Sequence, residues 1–139
     1  MVLGAVLPYA STLQGPSVAV EGAGIRQGEY VATEEVTVMN TGTGPISSFV
    51  ISVNRALATY SYCYDLYTPA TGAPITSTCP PAATNPGEVQ IGYSVPQGGA
   101  VGVEITIAGS AFAVGSGCTI TVTTSAGSQQ TVGVQVAPE

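Results

Sequence analysis

The chain has 139 residues, 45% of them apolar and only 7% charged, with a net charge of −6, two arginines, no lysine and no histidine. Arg26 and Arg55 cannot build the positive face that nucleic acid or an anionic membrane requires. Histidine catalysis, histidine-ligated metals and lysine-derived crosslinks are excluded outright. What remains is one domain-sized chain with enough apolar residues for a core. Its polarity comes from hydroxyl groups, which points to an extracellular, cell-surface setting.

Residues 1–10, MVLGAVLPYA, are the most apolar stretch. They are too short to span a bilayer, which takes about 20 apolar residues. No basic residue precedes them, as a signal peptide would need. An apolar stretch of this length must be buried in its own domain, in a neighbouring subunit, or as the end of a longer apolar helix. Gly4 weakens a helix here, and Pro8 bars a central strand through its own position.

From residue 17 the apolar period is two. Strands are predicted at 17–22, 29–40, 46–54, 60–67, 88–95, 100–109, 118–125 and 130–137. In VTVMN, Val36 and Val38 share one face and Glu35 and Thr37 the other. In VEITIAG, Val103, Ile105 and Ile107 face inward and Glu104 and Thr106 outward, and Val132, Val134 and Val136 repeat the pattern. Gly-, Pro-, Asn- and Ser-rich segments separate the strands, and Asn40 and Gly42 suit positive φ in the turn NTGTGP. Seven to eight short strands and no sustained 3.6-residue period predict an all-β, immunoglobulin-like antiparallel sandwich, with a closed barrel as the alternative.

Cys63, Cys79 and Cys118 lack the spacing of a zinc or redox site. Cys63 and Cys79 bracket a Pro-, Gly- and Thr-rich segment, and a disulfide across it would remove about 3 kcal/mol of unfolded-state entropy. The alternative is three reduced core thiols. Cys118 heads the run CTITVTT and reads as a buried strand residue. Tyr60, Tyr62 and Tyr64 fall on one face of a strand, as a packing ladder, a subunit interface or a sugar platform.

No catalytic constellation stands out. Any base would have to be a carboxylate; Glu34 and Glu35 are adjacent and point to opposite faces, and no spacing brings Asp65 to Glu88. There is no phosphate loop and no calcium loop. Every acidic residue is expected on a solvated strand face, and each arginine beside an acid. The chain carries no Asn-x-Ser/Thr site, so a glycan would sit on Ser or Thr. The expectation is a non-enzyme with no cofactor, no metal and no small-molecule substrate.

The layout LGAVLPYASTLQG followed by VTVMNTGTGPISSFVISV resembles archaeal type IV pilins and archaellin-like filament proteins. The resemblance implies a structural subunit of an extracellular, pilus-like filament. An N-terminal apolar segment, residues 1–14, would be the assembly element, with Val2, Leu3, Val6 and Leu7 in the interface. Residues 15–139 would be the solvent-facing β-domain that mediates adhesion, and the partner would be the same chain, as a homopolymer. A donated strand is the second way that segment could assemble. The alternative function is a non-polymerising accessory or anchoring domain that binds surface-layer or filament proteins.

Overall fold

The computed structural model describes residues 18–54, 60–79 and 87–139, and these are all-β. Val2, Leu3, Val6, Leu7 and Arg55 lie outside the described residues. The nine strands are β1 (Val18–Gln27), β2 (Val31–Asn40), β3 (Phe49–Val53), β4 (Tyr62–Tyr67), β5 (Pro74–Thr78), β6 (Glu88–Ile91), β7 (Ala100–Ala108), β8 (Gly117–Thr124) and β9 (Gln129–Pro138).

They form one curled sheet in the order β5-β4-β7-β2-β1-β9-β8-β3-β6. All pairings are antiparallel except β1 with β9, which is parallel and limited to Ile25–Gln27 against Val136–Pro138. This short junction hinges two layers. The run β1-β2-β7-β4 has the strand order of one immunoglobulin sheet and β9-β8-β3 that of the other. β5 and β6 extend their outer edges. The inward residues of both layers, among them Val36, Val38, Ile105, Ile107, Phe49, Ile51, Ile120 and Val122, join in a single core.

Strand formation follows the alternation where the alternation is intact. β7 buries Val101, Val103, Ile105 and Ile107, and β8 buries Cys118, Ile120 and Val122. Two departures have local causes. The predicted strand at 17–22 runs on to Gln27, because the register shifts between Val20 and Gly22. That bulge moves the inward positions from Val18 and Val20 to Ala23, Ile25 and Gln27, so no single period of two spans the strand. β5 was not expected at all. It is a mostly exposed edge strand opened by Pro74, whose missing N–H is harmless at an edge.

The loop after β2 also differs from expectation. Among the described residues, the glycines at positive φ are Gly72, Gly98, Gly109, Gly115 and Gly127. The NTGTGP loop is organised instead by the side chain of Asn40. Its Nδ2 donates to the carbonyls of Gly44 (2.7 Å) and Val95 (3.0 Å), and its Oδ1 accepts from the Gly42 N–H (3.0 Å). Gln27 clamps the opposite end in the same way. Its Nε2 donates to the carbonyls of Gly28 and Gly109, and its Oε1 accepts from the Phe112 N–H.

On the outer face of β7, Gly102 stands opposite Tyr67 of β4. The tyrosine ring lies across the glycine, and a methyl group placed there would overlap it. Aromatic cover of a strand glycine restores packing that the missing side chain forfeits. Gly102→Ala is therefore expected to expel the ring and lower stability by about 1–3 kcal/mol. An unchanged thermal midpoint for that variant would refute the contact.

Candidate assembly surface

The β4–β5 edge is pinned by a disulfide between Cys63 and Cys79, with Cα atoms 4.1 Å apart. β5 lies within the bridged segment and pairs with β4 along Tyr64–Tyr67. The bond holds an edge strand that has little apolar burial of its own. Cys118 is buried on β8, apart from this bond. Tyr60, Tyr62 and Tyr64 pack against the core and remain partly exposed. Tyr62 and Tyr64 stand opposite the buried Ile107 and Ile105 of β7. Burial, and the neighbouring Tyr64, push the Tyr62 phenol above its usual pKa.

On the opposite face of the same strands runs a line of carboxylates. Asp65 of β4 stands opposite Glu104 of β7, and Glu104 stands opposite Glu35 of β2. The Ser77 hydroxyl donates to Asp65 at one end, and Arg26 reaches Glu35 at 3.5 Å at the other. Desolvation first, then the charge of Glu35, a hydrogen bond with it and the charge of Asp65, raise the Glu104 pKa, against a lowering by Arg26. The exposed Arg26–Glu35 pair is worth at most about 1 kcal/mol. Among the described residues no group of three or more His, Cys, Asp or Glu is placed to hold a metal ion. Asp65 and Glu88 lie in different layers.

One acidic residue is not on a solvated face, contrary to the expectation for all of them. Glu34 is 1% exposed on the core side of β2, between Ile25 of β1 and Ile105 of β7. Its Oε2 is buried without a hydrogen-bond partner. Desolvation lifts its pKa from 4.5 to about 7. The alternation carried the signal, because Glu34 shares its phase with Ala32, Val36 and Val38; the expectation that acids face solvent overrode it.

A third feature is the line along which the two layers part. Ahead of their short junction, Val18–Gly24 of β1 pair only with β2, and Gln129–Gln135 of β9 only with β8, among the described residues. Val20, Ala23, Val132 and Val134 flank this seam and are only partly buried against the core. β1 opens at Val18, opposite Asn40.

No family model matches the chain, and no curated protein matches it. Solved structures similar to it include the N-terminal domain of PorA, at 12% identity and a TM-score of 0.34 over 89% of this chain and 97% of that one. A CARDB domain from Pyrococcus furiosus, solved in complex with di-metal ions, has 17% identity and a TM-score of 0.36 over 93% and 100%. AvmM, described as catalysing macrocyclization in alchivemycin A biosynthesis, has 10% identity and a TM-score of 0.40 over 88% and 89%. At these TM-scores the likenesses carry no argument about function.

Proposed function

We propose that this chain is a structural subunit of an extracellular, pilus-like surface filament. Residues 1–14 are the assembly element, and the β-domain faces solvent and mediates adhesion. The observation that carries the reading is the placing of an apolar stretch directly ahead of a β-sandwich whose described strands share one core of their own. Such a stretch needs burial that water does not offer, and a second subunit supplies it. The disulfide and the hydroxyl-rich, charge-poor composition fit an oxidising exterior. The proposal assigns the chain no catalytic role, no cofactor and no nucleic-acid partner.

Electron microscopy of the protein carrying residues 1–139, purified without denaturant, tests this. Long thin filaments are expected, and a variant lacking residues 2–13 is expected to stay a folded, soluble monomer. Uniform small particles from the full chain would overturn the filament. They would favour the accessory domain that binds surface-layer or filament proteins.

A further inference from the structure

We propose that the outer face of β4 and β7 is a binding trough for a neutral oligosaccharide, running from Tyr30 to Tyr67. The inference supplies the ligand class for the adhesive role proposed above and rests on that role, not on polymerisation. Two hollows make up the trough. One, of about 320 Å³, is lined by Tyr30, Ser61, Cys63 and Thr106 among others. The other, of about 540 Å³, is lined by Asp65, Tyr67, Ile75, Ser77 and Glu104 among others. Cys63 stands opposite Thr106, Asp65 opposite Glu104 and Tyr67 opposite Gly102. These pairs fall on alternate residues of the two strands and so share one face, which places the hollows side by side. From Ala108 at the Tyr30 end to Gly102 at the Tyr67 end, the floor is about 20 Å long.

The lining matches the two chemistries of a sugar ring, whose C–H faces lie against aromatic rings and whose rim carries hydroxyls. Tyr30 is 77% exposed, so its ring is open to a ligand. Tyr67 is half-buried, and Gly102 leaves room for its ring to lie across β7. Between the two rings the carboxylates of Asp65 and Glu104 can accept from sugar hydroxyls, and the hydroxyls of Ser61 and Thr106 can both donate and accept. The Ser77 hydroxyl donates to Asp65 and orients it. Aromatic surface with a few placed polar groups is the common make-up of a small-ligand site.

Charge and pairing disfavour other ligands. Arg26 is the one cation among the described residues, and Glu35 engages it at 3.5 Å. Glu35 in turn stands opposite Glu104, so an anionic glycan would meet carboxylates. β4 is paired with β5 and β7, and β7 with β4 and β2. Their main-chain groups are taken, so an extended peptide cannot add to them as a strand. Recognition in the trough falls to side chains.

An oligosaccharide array probed with the protein carrying residues 1–139 tests this, followed by titration calorimetry with the best-bound neutral oligosaccharide. The array carries neutral oligosaccharides of glucose, mannose, galactose and N-acetylglucosamine, and sialylated and sulfated ones beside them. Binding to neutral members is expected. Tyr30→Ala is expected to keep the parent's thermal midpoint and to bind about tenfold more weakly, and Tyr30→Trp is expected to restore binding. Asp65→Asn is expected to weaken binding as well, and Thr121→Ala, on β8 in the other layer, to leave it unchanged. Binding to no neutral member, a preference for anionic members, or binding that both Tyr30→Ala and Asp65→Asn leave unchanged would overturn the site. Capture of a tetralysine peptide with no saccharide bound would overturn it too. Filaments that bind no saccharide would overturn this inference and leave the filament standing. Small particles whose saccharide binding depends on Tyr30 would uphold the site and remove the filament.

Discussion

Raising the pH from 4 to 8 is expected to lower the unfolding free energy of this protein by about 3 kcal/mol through Glu34 alone. Glu34 sits in the core with one oxygen unpartnered, and its pKa rises from 4.5 to about 7 on burial. The folded chain therefore holds the proton more tightly than the unfolded chain. The stabilisation is complete below pH 4.5 and is lost progressively up to about pH 7, where the buried group begins to ionise. Glu104, raised in the same direction, adds to the trend at the outer face. Glu34→Gln is expected to remove most of the slope, because the amide does not titrate. Glu34→Met is expected to be more stable than the parent at pH 8 by on the order of 2 kcal/mol, since a buried charge is exchanged for an apolar side chain of similar length. Urea unfolding at a series of pH values measures both. A parent protein equally stable at pH 4 and pH 8 would refute the burial of a titrating Glu34.

Asn40→Ala is expected to cost about 3 kcal/mol, an effect as large as removing a core methyl cluster. Asn40 is fully buried, and its side chain satisfies three main-chain groups, at Gly42, Gly44 and Val95. Its own N–H donates to the Gly99 carbonyl, and its carbonyl accepts from Gly98, so five contacts converge on one residue. Truncation removes the partner of the Gly42 N–H and of the Gly44 carbonyl, and leaves the Val95 carbonyl with the Ile46 N–H alone. Asn40→Asp is expected to cost a similar amount, because it keeps the acceptor for Gly42 but turns a carboxylate oxygen toward two carbonyls. Thr41→Ala, on the exposed neighbour, is the control and is expected to stay within about 0.5 kcal/mol of the parent. Chemical denaturation of the three variants decides the matter. Asn40→Ala and Asn40→Asp both unfolding with the control would show that the loop holds itself. Asn40 also stands opposite Val18, the first residue of β1, so losing it is expected to loosen the start of that strand.

The elements that were legible in the sequence are those whose periodicity is unbroken and one face of which is buried. β2, β7 and β8 read directly, since Val36, Val38, Val103, Ile105, Ile107, Ile120 and Val122 keep a strict alternation and all reach the core. The bulge after Val20 hid the second half of β1, because a single extra residue exchanges the two faces. β5 left almost no trace, because an exposed edge strand needs no apolar side chains and borrows its position from β4 and the disulfide. Glu34 was missed although its phase with Ala32, Val36 and Val38 marked it as inward, because acids were expected to face solvent. Gln27 was missed because the bulge in β1 breaks the period before it, and the role of Asn40 depends on the loops around it, at Gly44 and Val95.

The sequence by itself determined the absence of histidine and lysine chemistry, the all-β class and the inward faces of the central strands, and it favoured the pairing of Cys63 with Cys79 that the structure shows. These follow from composition and from contacts between near neighbours along the chain. Only the tertiary structure decided the layer order, the short parallel junction between β1 and β9, the row Asp65–Glu104–Glu35 and the burial of Glu34. Each of these brings together residues far apart in sequence. Their energies come from solvent exclusion and register across strands, quantities that exist only once the layers have closed.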